Sequence, residues 1–416
     1  MLMGKECKRI LFSKVYFIFV VLLFAFYLSQ LPNDLSIHGA EVAPEPGMAD
    51  YGYTIREEPD VLMPEALSSL VNEYLNNTYT TYPTGFIKMV HLKDSDRERI
   101  RMIIAKITGL DPEAVDHLSD NVILGSYEDE IYDDEHYIYD LSELQILVSY
   151  EDFLALMDEA DQIIGGGSHY ARESIVQEFS WVPMTYEEAK AEYDSLVIDD
   201  KVTNGYARLF CDYHGIALAL LPVFIVAVYW TADKRGRMQQ IIYSRQISSF
   251  RIVITRFVAM VIMMLIPVMA TAFWTDMIMA IYYPGMDMDH LAMYKYTLLW
   301  LLPTIIAVTG IDILVTEIFS GIVAVLLQFA WSFACVMRVD LSGDIGLFQL
   351  VVRHNTPYER ELFLSQIDTF IQNRIFFTIL GIVAALLTVI VYRLKREGKY
   401  HGLGLFDKLS ARKSKS

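Results

Sequence analysis

Between Glu41 and Phe210 the sequence has no cysteine, and the whole 416-residue chain has three, Cys7, Cys211 and Cys335, each in or beside an apolar stretch. A disulfide framework is therefore excluded for the long polar middle of the chain, so outside a cell its own core must hold it; roughly 180 residues suffice for one. Nucleotide and hydrolytic motifs are also missing: G-x-x-x-x-G-K-[ST], G-x-S-x-G, H-E-x-x-H and paired C-x-x-C do not occur. The chain cannot hold ATP by a P-loop, nothing argues for catalysis, and no cofactor is expected in it. A basic face is lacking too, because the formal net charge is −18, which excludes a nucleic-acid binder.

What is present is unevenly spread. Hydrophobic residues make up 54% of the chain, yet residues 31–213 hold 38 of the 52 acids against 11 of the 34 bases, a net of −27. The remainder carries 23 bases and 14 acids. Two materials are joined: an apolar, mildly basic membrane part and one acidic domain.

Apolar stretches long enough to cross a bilayer fall at Ile10–Leu31, Tyr213–Trp230, Ile252–Ala272, Tyr296–Ile311, Ile318–Val336 and Ile375–Tyr392. These predict an α-helical polytopic membrane protein with six transmembrane helices and a mainly α, partly β, extracytoplasmic domain. The expected layout is a stub and first helix at 1–31, the acidic domain at 32–210 and the second helix at 211–230. A cytoplasmic amphipathic loop at 231–251, helices three to six at 252–394 and a basic tail at 395–416 follow. Lysine and arginine set the orientation. Segments 1–14, 231–256 and 393–416 together carry 18 bases and 4 acids, whereas 276–296 and 338–374 carry 5 bases and 8 acids. Both termini and the loop after the second helix should face the cytoplasm of a cell whose plasma membrane the chain crosses, and residues 32–210 should lie outside. Basic residues up to Lys14 followed by Val15–Leu28 also fit a secretory signal, but no small-x-small cleavage site follows, which favours a retained anchor.

Within the acidic domain, Ser95-Asp96-Arg97-Glu98 and Thr185-Tyr186-Glu187-Glu188 read as capping boxes, the first opening a helix that Gly109 closes. Ser149 should start a helix over Tyr150–Ile164, ended by Gly165-Gly166-Gly167. A short strand is plausible at Phe86–Leu92. The run Glu128–Asp140, with Asp129, Glu130, Asp133, Asp134, Glu135, His136 and Asp140, suits either a solvated acidic face or a hard cation, without EF-hand spacing. No metal site is expected, since His91, His117, His136 and His169 lack ligand spacing.

The loop Tyr229–Phe257 is dense in charge around one acid, Asp233, and then reads as a short amphipathic helix, with Met238, Ile241, Ile242 and Arg245 on one face and Arg237, Gln240 and Ser244 on the other. Asp233, Gly236, Ile241-Ile242, Ser244-Arg245 and the basic pair Arg251/Arg256 resemble the pattern after the second span of permease subunits of ABC-2 type ATP-binding-cassette exporters. Asp233 stands where the family usually has Glu, and Gln246 where it usually has proline. The resemblance implies an exporter whose two permease subunits, identical or related, form the pathway, while separate ATP-binding subunits dock beneath the loop. It assigns Asp233, Gly236, Arg237, Gln240, Ser244 and Arg245 to that contact. The bare residues equally suit a basic juxtamembrane helix on anionic lipid. A different class of reading is a membrane receptor whose acidic outer domain binds a cationic peptide or ion. No residue selects a substrate.

Two further features stay open. Thr356-Pro357-Tyr358-Glu359 reads as a capping box for an outer helical segment over 356–371, with Phe363, Ile367, Phe370 and Ile371 on one face, or as an extension of the sixth helix. Asp276, Asp312 and Glu317 lie near span ends, solvated there or lining a pathway.

Overall fold

The computed structural model describes residues 2–38, 41–83, 87–120, 122–128, 135–139, 141, 144–336 and 345–400. The chain is mostly helical, with little sheet. It divides into two compact units, one of residues 1–43 with 190–416 and one of residues 44–189 inserted into it.

The first unit begins with α1 (Leu2–Leu11) and α2 (Lys14–His38). The expected single span from Ile10 is thus split at Phe12-Ser13. Ser13 is the physical reason: its hydroxyl accepts the Tyr16 N–H at 3.2 Å, satisfying a donor that a new helix start leaves unpaired.

The inserted unit runs β1 (Tyr53–Ile55), α3 (Pro59–Asn76), β2 (Tyr79–Thr81), β3 (Lys88–Val90), α4 (Asp94–Thr108), α5 (Pro112–Asp116), β4 (Val122–Glu128), β5 (Glu135–Tyr139), α6 (Tyr150–Ile164), α7 (Ile175–Phe179) and β6 (Trp181–Pro183). Its strands form three separate antiparallel pairs, β1 with β6, β2 with β3 and β4 with β5. Its core is helical: Leu67, Leu70 and Tyr74 of α3 meet Ile100, Ile103 and Ile104 of α4 and Phe153, Met157 and Ala160 of α6. The spacing of three and four in each helix is what turns these residues to one side.

Local signals in this unit held where a polar side chain could reach a free N–H. Ser149 caps α6 by accepting from Asp152, and Thr185 and Glu188 exchange the two bonds of a capping box. Gly109 and Gly165 end α4 and α6 in left-handed conformation, at φ 72° and 119°. The box expected at Ser95 is not formed; α4 starts one residue earlier, with Lys93 as its uncapped first neighbour. The strand expected over 86–92 is shorter, and Phe86 lies outside the described residues, as do Asp129, Glu130, Asp133, Asp134 and Asp140 of the acidic run.

The chain continues through α8 (Tyr186–Asp194), α9 (Thr203–Leu220), α10 (Pro222–Trp230), α11 (Ala232–Arg235), α12 (Gln239–Tyr243), α13 (Ser249–Tyr282), α14 (Ala292–Tyr296), α15 (Leu302–Ile318), α16 (Gly321–Val336), α17 (Arg360–Ser365) and α18 (Ile367–Arg396). A wide turn at Thr297–Leu301 joins α14 to α15. Among the described residues, five helices are long and apolar enough to cross a membrane: Lys14–Leu31, Thr203–Arg235, Ser249–Tyr282, Ala292–Ile318 and Ile367–Arg396. The fifth predicted span, Ile318–Val336, appears as α16, an apolar helix of 16 residues, and the chain after it, 337–344, lies outside the described residues.

Observed helices overrun the predicted spans because buried charges are paired. The second was expected from Tyr213, yet it starts at Thr203 and carries Arg208 and Asp212 inside. Arg208 meets Asp200 at 2.5 Å and Asp212 meets Arg353 at 2.8 Å. Pairing offsets most of the burial penalty that a hydropathy window charges against such residues. The closest helix contact joins α15 to α18, where a Cβ at Gly310 would fall on the Gly381 carbonyl and one at Gly381 on that of Ile306. Small residues let the two backbones touch, the usual device where apolar burial does not drive association.

The segment before α18 differs from the expected helix over 356–371. Thr356 accepts only the Tyr358 N–H, Glu359 adopts a left-handed φ of 55°, and the helix opens at Arg360. A second start at Ile367 then leads into the long helix, so the region is a short turn of helix followed by an extended α18. Phe363 and Phe370 are buried on Trp300, while Ile371 is exposed.

Candidate functional site: the 231–248 loop and its mount

Residues 231–248 leave α10 and return to α13 through two single-turn helices. Gly236 closes α11, its N–H reaching the Ala232 carbonyl at 2.9 Å, and Met238 N–H returns to the Asp233 carbonyl at 2.9 Å. The left-handed residue of this turn is Arg237, at φ 54°, rather than the glycine. Ser248 then caps α13 by accepting the Arg251 N–H at 3.2 Å.

The loop is bolted down at both feet. At the first foot Asp233 is bonded by Arg256 of α13 and, at 2.7 Å, by Arg9 of α1. Arg256 also reaches Glu6 at 3.4 Å; Tyr229 donates its hydroxyl to Glu6, and the Arg9 guanidinium lies 5.2 Å from the Tyr229 ring centre. At the second foot Arg396, the last residue of α18, donates to three loop carbonyls: Tyr243 at 2.9 Å, Ile247 at 2.6 Å and Arg245 at 2.6 Å. One planar fork with five donors thereby satisfies carbonyls that the end of α12 leaves free. Between the feet, Glu317 of α15 pairs with Lys395 at 3.1 Å and accepts the Trp230 indole N–H at 2.6 Å.

Of the six residues singled out from the sequence, five stand exposed on the loop: Gly236, Arg237, Gln240, Ser244 and Arg245. Asp233 does not; it is drawn beneath them into the mount. The amphipathic helix expected over 238–245 is also shorter than its pattern. Only Gln239–Tyr243 are helical, and Met238 and Ile241 are exposed while Ile242 is half-buried. Without a continuous helix, Met238, Ile241 and Ile242 do not share one buried face.

Sequence reading missed Glu6, Arg9 and Arg396 as members of this site. One signal was present: Asp233 is the single acid among six bases in 231–256, and Glu6 the single acid among four bases in 1–14. Isolated acids in basic segments are natural counter-ions, but partners 224 and 250 residues apart carry no local pattern.

The three acids near span ends separate. Asp276 bonds His290 at 3.1 Å near the end of α13, whereas Glu317 is buried and paired as above. Asp312 is buried, and one of its carboxylate oxygens has no hydrogen-bond partner. Solvation at a helix end therefore accounts for neither Asp312 nor Glu317.

At the other end of the bundle a second polar layer holds the irregular segment 345–359. Arg208 donates to the Pro357 carbonyl at 3.0 Å and lies 3.3 Å from the His354 ring nitrogen, and Asp200 also pairs with Arg360 at 3.3 Å. Arg374 is buried with no acid paired to it among the described residues; it donates to Trp300 O at 3.1 Å, Leu350 O at 3.2 Å and the Thr304 hydroxyl at 3.0 Å, and sits over Phe370 and Phe377. Non-helical backbone is tolerated at such depth only when its polar groups are taken up like this. Among the described residues no group of His, Cys, Asp and Glu could hold a metal ion.

Compared against family models, curated proteins and solved structures, the chain has no match.

Proposed function

We propose that the chain is the transmembrane permease subunit of an ABC-2 type exporter. It moves an unidentified substrate across the cell membrane with ATP hydrolysed by a separate nucleotide-binding subunit. In this reading α16 is the fifth of six spans, both termini and the 231–248 loop are cytoplasmic, the acidic unit is outside, and a second permease subunit completes the pathway. The observation that carries the proposal is the mount. An exposed tip of Arg237, Gln240, Ser244 and Arg245 is rigidly tied to α1, α13 and α18, so a push on the tip reaches three separate helices. A helix lying loosely on lipid has no need of such anchorage.

The test is purification of the full chain in mild detergent. A protein bearing a Walker-A motif should accompany it in stoichiometric amount; isolation without one overturns the proposal. Charge reversal at Arg237 and Arg245 should then abolish coupled ATPase activity with insertion intact, because the Arg396 clamp uses the Arg245 carbonyl and not its side chain.

A further inference from the structure

The inserted unit carries an exposed apolar sheet face that the exporter reading does not use. β1 and β6 pair in register, Tyr53 opposite Pro183 and Ile55 opposite Trp181. The ladder is extended at both ends, by Met184 N–H to Gly52 O at 2.9 Å and Arg56 N–H to Ser180 O at 3.1 Å. Alternation sends Val182 inward, where it is buried, and turns Tyr53, Ile55, Trp181 and Pro183 outward together. In the whole chain Tyr53 remains 57% exposed, Trp181 52% and Ile55 42%. A registered block of two aromatic and two aliphatic residues is unlike the single exposed apolar residues normal on a surface, and such patches mark interaction sites. The neighbouring rings of Tyr51 and Tyr186, 5.9 Å apart, continue the aromatic character.

The rim has one sign. Residues 50–60 and 178–188, which contain the two strands, hold seven acids (Asp50, Glu57, Glu58, Asp60, Glu178, Glu187 and Glu188) and one base, Arg56. That base is already engaged, with Glu58 at 2.7 Å and Glu188 at 2.5 Å. An anionic lipid surface, a nucleic acid or the same face of a second copy would meet repulsion here. A partner with lysine or arginine beside apolar side chains would be attracted by the rim and bury the face, its cations close to open tyrosine and tryptophan rings. Each strand also leaves its outer edge without a strand partner among the described residues, which suits an extended peptide.

We infer that the Tyr53/Ile55/Trp181/Pro183 face of the inserted unit is a binding site for a cationic amphipathic peptide. The site is independent of the 231–248 loop and of any ATP-binding subunit, so its failure would leave the exporter reading untouched, and the reverse.

The full chain in phosphatidylcholine nanodiscs would be titrated with a dye-labelled synthetic peptide of alternating Lys and Leu pairs, with empty nanodiscs and a Glu-for-Lys version of the peptide as references. Saturable binding to the chain is expected, weakening as salt rises and about tenfold weaker in Trp181→Ala. Tyr53→Ser should weaken it in the same direction, whereas Met102→Ala, an exposed apolar residue elsewhere on the unit, should leave it unchanged. Absence of binding, equal loss in Met102→Ala, or equal binding of the Glu peptide would overturn the assignment. So would a dimer that Trp181→Ala dissolves, or quenching of Trp181 by brominated lipid, which would give the face to a second copy or to the bilayer.

Discussion

Arg208 and Asp200 in the helical bundle approach to 2.5 Å, and so do Arg56 and Glu188 in the inserted unit. The first pair has side chains 1% and 6% exposed, the second 45% and 38%. The geometry is the same and the surroundings are opposite. In the bundle such charges are taken from solvent; Arg208 also engages two carbonyls and a histidine, while among the described residues one oxygen of buried Asp312 is left without a hydrogen bond. In the inserted unit the acids that pair, such as Glu58, Glu98, Glu151 and Glu188, do so with side chains still open to water. The lesson is that buried charge is structural in the bundle, whereas the inserted unit carries its larger net charge mostly at the surface.

Substitutions can break that contrast. Asp200→Ala should cost about 3–5 kcal/mol in the bundle, because it strands the buried Arg208 guanidinium, while Arg56→Ala should cost less than about 1 kcal/mol. Thermal unfolding of the two variants in detergent, each against the parent, checks this; similar losses would erase the distinction.

Asp161 and Glu73 are exceptions inside the inserted unit, and Glu73 sharpens the comparison. It lies near the C-terminal end of α3, half-buried, accepting from the Tyr170 hydroxyl at 2.5 Å and the Thr80 N–H at 2.9 Å. Burial raises its pKa from the ordinary 4.5 to about 7 against the pull of those two donors. The folded unit therefore keeps a proton that the unfolded chain has already lost, and stability falls as pH rises from about 4.5 to about 7. The expected loss from this group is of the order of 3 kcal/mol across that window. In Glu73→Gln it should vanish, which thermal melts at a series of pH values would show.

Glycine offers a smaller contrast. Gly381→Ala places a methyl against the Ile306 backbone and should destabilise the α15–α18 contact by about 1–3 kcal/mol. Gly166→Ala meets no neighbour, but its φ of 85° imposes backbone strain of about 1 kcal/mol. Melting temperatures of the two variants, each against the parent, check this; a larger loss in Gly166→Ala would reverse the order.

Much of this was legible locally. The apolar runs gave the helices, and Ser149, Thr185, Gly109 and Gly165 gave helix ends, because a cap lies within four residues of what it caps. The 231–248 loop stood out by its charge. Its mount did not, since Glu6, Arg9, Asp233, Arg256 and Arg396 come from four distant stretches. Helix limits were misplaced wherever a charge was paired from afar, as at Arg208 and Asp212.

The sequence by itself determined composition by region: which stretches are apolar enough to cross a membrane, where the acids gather and which loop is basic. These follow from the side chains alone, as transfer from water is roughly additive along a chain. Only the tertiary structure decided which charges are exposed, which of six loop residues remain on the tip, and that two short strands bring Tyr53 and Ile55 beside Trp181. Those outcomes depend on partners more than a hundred residues apart, whose meeting is a property of packing and not of any window of sequence.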